Sequence, residues 1–516
     1  MIDIRGILLV LLTLPLILLG GGLTLQDSRM FGECTIGVFS GAATADGRPM
    51  LWKNRDVNGP VQKFCYYRSF DDTDRSFSFI GNCYSNDTTK VYMGLNEAGF
   101  AIINSNSYNL DDSLMAGVDD GDLLRIALEK CRTLEDLEDL LDLTSIKGRK
   151  DGWNIGALDS DGKAALYECG NRTYVKFDAA DPDDAPDGII LRATFGLSGT
   201  EEDRIGLERY KRACQLVYGR NNEVPIDAEF VLQTLSRDLS NPLDNPYPLP
   251  YNGRQNRRAP GFILAEGVTI NRSVSRSLMV IRGVRPGENP RLGTLFCSIG
   301  QPVLAVAFPL WVESRQVPAV LNFGIETPMY FLAARHRGFL YPYTKDPDYL
   351  DSHYLMDNDG HGIYYYTLPL ESEVIRAADN FVNDWSHEFP RPDQVAAAQN
   401  SLAAHIYEVY SLIPFGKSDT GVPEARAFPM IANFPNPFNA STTIHLNGFD
   451  SGEIVRLSIF DILGREIKSV ESVGSGDRFV IWDGTDNRGL PAASGVYLIK
   501  ASNSDYSVNT KALLMK

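Results

Sequence analysis

Between residues 35 and 168 the chain repeats one pattern three times: an apolar strand, a tight turn, and a returning apolar strand. The first joins residues 35–39 to residues 50–53 across Ala45-Asp46-Gly47-Arg48-Pro49. A second turns at Asn96-Glu97-Ala98-Gly99, between residues 91–95 and 100–104. The third turns at Asp159-Ser160-Asp161-Gly162, between residues 153–158 and 164–168. Glycine and aspartate at such turns supply the backbone freedom and local hydrogen bonds that a hairpin needs. Helical spacing falls between and after these units, at residues 122–130, 133–140, 203–218 and 227–235. Asp119, Asp120 and Asp122 stand where carboxylates complement a helix N-terminus. Hairpins separated by helices predict antiparallel sheet with helices packed on it, a layered α+β core.

Further strands are expected at residues 77–80, 90–95, 278–282 and 292–299, and a long surface loop at 239–260. Residues 371–388 and 392–412 read as helices that complete this module. A linker rich in Gly, Pro and Ser spans 414–429, and the character then changes. Short alternating runs at 443–446, 455–460, 478–482, 495–501 and 510–515 predict a small Ig-like β-sandwich over 430–516, with Trp482 and Phe460 large enough to anchor its core.

A formal charge of -17 argues against a nucleic-acid partner, which needs a concentrated positive surface. No glycine pattern matches a dinucleotide or phosphate loop, no cysteine spacing suggests zinc, and no cofactor is implied. Arg5, the apolar run 7–19 and Gly20-Gly21-Gly22 have the form of a signal peptide over 1–22, with an uncleaved anchor as the alternative. A short propeptide, 23–33, would then precede Cys34. Seven cysteines leave at least one thiol unpaired in any intramolecular scheme; Cys65 with Cys83 is a conceivable disulfide in an exported chain.

Cys34 is the candidate for that free thiol. Cutting the Glu33–Cys34 bond would place a thiol and an α-amine on one residue, a self-contained nucleophile and base. Their reference pKa values, roughly 8.5 and roughly 7.7 to 8.0, are close enough to exchange a proton near neutral pH. The chain has six histidines and none before His336, so no local feature calls for an imidazole. The bland reading is a half-buried strand cysteine. Strand alternation sets Lys53 and Arg55 on one side, Asn54 and Asp56 on the other. Asn104 and Asn106 would share a face, so parity does not choose between them as an oxyanion donor.

Two regions resemble known families. The run Phe434-Pro435-Asn436-Pro437-Phe438-Asn439, then Ile459-Phe460-Asp461-Ile462-Leu463-Gly464-Arg465, Trp482-Asp483-Gly484 and Ala493-Ser494-Gly495-Val496-Tyr497, resembles the type A sorting domain of type IX secretion cargo. That resemblance implies export to the surface or medium and the type IX secretion machinery as a partner. Residues 34 to about 330 resemble the linear amide C–N hydrolases of the N-terminal nucleophile superfamily, which includes choloylglycine hydrolases, penicillin V acylases and C45 peptidases. The resemblance rests on Cys34-Thr35, the run from Thr44 to Asp56, and Gly94-Leu95-Asn96-Glu97-Ala98-Gly99-Phe100. Asn154-Ile155-Gly156-Ala157-Leu158-Asp159, Glu168 and Ile299-Gly300-Gln301-Pro302 extend it.

It implies a four-layer αββα sandwich over 34–413 and a small N-acyl amide or peptide as substrate. Position by position, Cys34 matches the nucleophile and Asp56 the aspartate that holds the free α-amine. Lys53 sits where many relatives have arginine, and Asn106 matches an oxyanion asparagine. Thr194 takes the place of a second active-site asparagine, and the late arginine corresponds to Arg272 or Arg276. Acyl transfer to an amine, or an inactive surface binding protein, are the alternative readings.

Overall fold

The computed structural model describes residues 33–515 except 60, 70–75, 112–116, 244–261, 265–267, 343–348, 358–359, 414–429, 435–437, 440, 448–453, 474–478 and 504–506. The expected leader, most of the 239–260 loop and the 414–429 linker lie outside the described residues. The chain divides into two compact units, residues 1–415 and 416–516.

In the larger unit, β1 (Thr35–Phe39) and β2 (Met50–Asp56) form the first hairpin. Seven strands then meander, each antiparallel to the last: β3 (Gln62–Tyr67), β4 (Phe79–Tyr84), β5 (Met93–Asn96), β6 (Ala101–Asn106), β7 (Trp153–Leu158), β8 (Ala164–Cys169) and β9 (Tyr174–Asp178). They make a sheet of their own. The chain next returns to the first hairpin, where β10 (Ile189–Arg192) pairs with β1. After β11 (Phe262–Leu264), the strands β12 (Ser275–Arg282), β13 (Thr294–Ile299) and β14 (Phe308–Leu310) extend that sheet from β2, in the order β10-β1-β2-β12-β13-β14. A separate pair joins β11 to β15 (Tyr349–Asp351).

The two large sheets lie face to face. β1 and β2 pack on β6 and β7, closely enough that a Cβ on Gly156 would come within 2.9 Å of Val38 Cγ2. Helices α1 (Asp120–Lys130) and α2 (Leu134–Lys147) cover the outer face of the seven-stranded sheet, where Leu123, Leu128, Leu137 and Leu141 meet Phe100, Trp153 and Tyr167. α3 (Leu207–Asn221), α5 (Tyr364–His387) and α6 (Pro392–Ser411) cover the other, burying Val217, Ile375, Val382 and Val395 against Phe39, Trp52, Val280 and Phe296. α4 (Pro328–Leu340) packs beside β13. The result is a four-layer αββα sandwich. No helix among the described residues is long and apolar enough to cross a membrane.

Local chemistry fixes these elements. Asp119 caps α1 by accepting from Gly121 N, and Thr133 with Asp136 forms a capping box on α2. In the 159–162 turn, Asp159 Oδ1 accepts from Asp161 N and Lys163 N, while Oδ2 accepts from Leu134 N. One carboxylate thus shapes the hairpin and ties it to α2. β2 runs on to Asp56, beyond the expected end at residue 53, because β12 pairs with it as far as Ser275–Asp56. α2 likewise continues past residue 140 to Lys147. All seven cysteines are free; Cys65 and Cys83 remain two thiols with their sulfurs 3.5 Å apart.

Among the described residues the smaller unit is a seven-stranded sandwich. Its strands are β16 (Met430–Phe434), β17 (Thr442–Asn447), β18 (Ile454–Phe460), β19 (Glu466–Val473), β20 (Phe479–Trp482), β21 (Gly495–Ser502) and β22 (Ser507–Leu514). They form sheets ordered β16-β17-β20 and β19-β18-β21-β22. Trp482 anchors the core, with its ring centroid 5.2 Å from Phe438 and 5.0 Å from Tyr497. Phe460 is half-buried and stands outside this cluster, so Phe438 and Tyr497 take the role expected of it. Phe438 N donates to Leu513 O, and Met515 N to Phe438 O, fastening the first loop to the last strand.

Candidate active site

The last paired residues of the first hairpin are Thr35 and Asn54. Cys34 immediately precedes Thr35 at the N-terminal end of β1, 4% exposed, with its thiol 4.0 Å from the carbonyl oxygen of Asp56. Alternation along β2 divides the neighbouring side chains. Asn54 Nδ2 donates to Ser236 O and Ile270 O on the side of the helices, whereas Lys53 and Arg55 point toward the other sheet.

Lys53 is wholly buried. Its Nζ donates to Tyr92 O at 2.9 Å and to Asn104 Oδ1 at 2.6 Å. Asn104 Nδ2 donates in turn to Asp120 Oδ2 at 2.8 Å. Burial lowers the Lys53 pKa to about 8, with Cys34 and Asp120 acting in the opposite sense. Burial also raises the pKa of Asp120. Both ends of the Asn104 amide are therefore engaged in holding Lys53 to the start of α1. Arg55 donates to Gln62 Oε1 at 2.9 Å and lies over the Tyr92 ring, 3.8 Å from its centroid.

Asp56 is also fully buried, and burial raises its pKa against the opposing pull of Arg272 first and Arg209 second. Ser275 Oγ donates to Asp56 Oδ1 at 2.6 Å. It reaches because a register shift between Ser275 and Ser277 bulges β12 at this point. Arg272 lies 3.6 Å from Asp56 Oδ2 and 2.7 Å from Glu33 Oε2. Arg276, the other candidate for the late arginine, donates to Ser273 O instead.

Glu33 has a second partner. Arg209 Nη1 donates to Glu33 Oε2 at 3.1 Å, and Arg209 Nη2 donates to Thr194 Oγ1 at 3.2 Å. Thr194 itself donates to Ile205 O at 2.7 Å. Gly206, at φ 83, makes this packing possible: a Cβ there would lie 2.6 Å from Arg209 Nη2 and 3.0 Å from Thr194 Oγ1. Asn106 ends β6 half-buried beside Tyr108. Burial pushes the Tyr108 hydroxyl up to about 12, with Asn106 acting to lower it and the neighbouring Glu33 and Cys34 acting to raise it.

The structure thus gathers Cys34, Asp56, Lys53, Asn106 and Thr194 around one end of the first hairpin. Arg209 and Tyr108 join them, and neither was singled out from sequence. Arg209 sits in the expected helix 203–218, where an arginine reads as solvent-facing; the signal was Gly206 next to the helix start.

The segment carrying Thr194 is fastened throughout. Asn154 Nδ2 donates to Ala193 O at 3.2 Å and Phe195 O at 3.1 Å. Asn109 exchanges two hydrogen bonds with the backbone of Gly196 and donates to Thr200 O. Glu168 accepts from Arg192 Nε, Leu197 N, Ser198 N and Ser198 Oγ. His336, buried in α4 against Tyr354, has its pKa pushed down to about 3 by burial. No group of three potential ligands among the described residues is placed to hold a metal ion.

Residues 43–180 match the family model described as acyl-coenzyme A:6-aminopenicillanic acid acyl-transferase, and residues 432–515 match the secretion system C-terminal sorting domain. No curated protein matches the sequence. Among solved structures, a penicillin V acylase from Agrobacterium tumefaciens is similar at 14% identity and TM-score 0.31, over 54% of this chain and 86% of that one. A conjugated bile acid hydrolase from Clostridium perfringens is similar at 12% identity and TM-score 0.32, over 52% of this chain and 89% of that one. PorZ, a bacterial surface component of the type IX secretion system of Porphyromonas gingivalis, is similar at 26% identity and TM-score 0.14, over 17% of this chain. The chain spans 11% of PorZ's own length. The larger unit therefore contains a stretch similar to the acyl-coenzyme A:6-aminopenicillanic acid acyl-transferase family, and the smaller unit is similar over most of its length to the secretion system C-terminal sorting domain.

Proposed function

We propose that the larger unit is an exported cysteine amidase that cleaves a linear amide C–N bond through an acyl-cysteine, after the Glu33–Cys34 bond has been cut. The observation that carries this reading is the placement of the Cys34 thiol at the end of β1, 4.0 Å from the backbone of Asp56 and beside the buried ammonium of Lys53.

In the first step Cys34 Sγ attacks the Glu33 carbonyl, the C–N bond breaks, and the proton of the thiol passes to the departing α-amine. Water then hydrolyses the thioester and releases the propeptide, 23–33, which follows a leader over 1–22. The freed amine serves as the base for later turnovers, with Asp56 accepting its hydrogen bonds. Lys53 places a buried ammonium beside the reacting residue. Asn106 donates to the tetrahedral oxyanion, since the Asn104 amide is already engaged with Lys53 and Asp120. Thr194 positions Arg209. The sorting domain delivers the protein through the type IX secretion machinery to the surface or medium.

Intact-mass and N-terminal analysis of the secreted protein tests this reading. The expected N-terminus is Cys34, and Cys34→Ala should leave the bond uncut and abolish amide hydrolysis. A mature chain that keeps Glu33 attached would sink the mechanism. The name of the matched family favours a second reading, transfer of the acyl group to an amine. An added amine that diverts product from acid to new amide at low millimolar concentration would support transfer.

A further inference from the structure

Glu33 is the acyl residue of the bond that Cys34 is proposed to cut, so its side chain marks where substituents of an acyl group lie when Cys34 attacks the carbonyl. That side chain is not loose. Its Oε2 lies 2.7 Å from Arg272 Nη1 and 3.1 Å from Arg209 Nη1, and the Arg209 side chain is 1% exposed. Arg209 is further fixed by Thr194 and by the close fit over Gly206.

Charge counting gives the consequence. With Glu33 in place, two carboxylates, Glu33 and Asp56, face two guanidiniums, Arg209 and Arg272. When the propeptide leaves, both guanidiniums lose the Glu33 carboxylate they share, and a new α-amine adds positive charge whenever it is protonated. The vacated place is lined by the two groups that held a carboxylate there, so it favours an anion. Arginine forks suit a carboxylate in particular.

We propose that the mature site selects amides whose acyl group carries a carboxylate three carbons beyond the scissile carbonyl, as a glutaryl amide does. This rests on the reading that Glu33–Cys34 is cut. The glutaryl chain has the same carbon count as Glu33, from its carbonyl through Cα, Cβ and Cγ to the carboxylate. Cys34 Sγ bonds to the acyl carbon, the amide C–N bond breaks, and the leaving amine takes the thiol proton. Water then cleaves the thioester, releasing glutarate and restoring the thiol. The specificity residues are Arg209 and Arg272.

The test uses the secreted full chain in two readouts. Intact mass first establishes whether the N-terminus is Cys34. On mature protein, the rate of Cys34 alkylation by iodoacetamide is then measured with glutarate or with pentanoate, the acid of equal length without the second carboxylate. Glutarate at millimolar concentration should slow alkylation at least tenfold, and pentanoate less than twofold. Glutaryl-4-nitroanilide should exceed pentanoyl-4-nitroanilide at least tenfold in kcat/KM, and Arg272→Gln should collapse that ratio toward one, with Arg272→Lys restoring part of it. A mature Cys34 N-terminus with equal protection by the two acids overturns the proposal and leaves the processing reading intact. Retention of Glu33 defeats the processing reading, and the proposal with it.

Discussion

Replacing Lys53 by methionine should change how stability responds to pH, and the structure sets the size of the change. Lys53 is wholly buried and its pKa falls from 10.5 to about 8 through desolvation. The unfolded chain keeps the proton up to about pH 10.5 while the folded chain gives it up near pH 8. Between those values the unfolded state binds more protons, so stability rises with pH. Below pH 8 both states carry the charge and the burial cost is felt in full. The whole interval corresponds to about 3 kcal/mol, and the part between pH 7 and pH 10 to about 2.5 kcal/mol.

Lys53→Met keeps the side-chain volume and removes the titration. It also leaves Tyr92 O and Asn104 Oδ1 without their donor, a cost of about 1 to 3 kcal/mol for each buried group that finds no other. The two effects oppose each other at pH 7, so the diagnostic quantity is the slope. Urea unfolding followed by tryptophan fluorescence at pH 7, 8.5 and 10 gives it. Wild type should gain about 2 to 3 kcal/mol on the variant across that range. A difference that stays flat from pH 7 to pH 10 would refute the assignment of a buried, easily deprotonated ammonium to Lys53.

Other outcomes are expected. Asn106→Ala should lower kcat by about 10² to 10³ with little change in KM, because an oxyanion donor acts in the transition state; an equal rise in KM with kcat intact would assign Asn106 to ground-state binding. Glu168→Gln removes a buried charge partner from Arg192, whose Nε lies 2.6 Å away. It should destabilise the larger unit by about 3 to 5 kcal/mol in urea unfolding, and a loss below about 1 kcal/mol would show that the amide suffices. Deleting residues 434–516 should trap the protein in the periplasm, and fractionation that still finds it at the surface would reject the address reading.

How much of this was legible in sequence depended on where each residue's partners came from. The 153–168 hairpin could be read because its turn residues and apolar strands lie within one short stretch, and Asp159 closes it locally. β3 and β9 were missed because each is an edge strand of the seven-stranded sheet and only partly buried, so neither offers a continuous apolar run. Cys34, Asp56 and Asn106 stood out through motif and strand position. Arg209 did not, since its burial depends on Glu33 and Thr194, each brought to it by tertiary packing. Arg272 and Arg276 could not be separated by spacing, because the bulge at Ser275–Ser277 shifts the register between them and the rest of β12.

The smaller unit closes with β22, which pairs along the length of β21, while Phe438 near its beginning is latched to Leu513 and Met515. A ribosome or a translocating pore passes residues in order, so residues 430–502 must wait, with Trp482 and Tyr497 incompletely covered, until residues 507–514 emerge. Prematurely terminated chains that lack this stretch would present no finished sandwich.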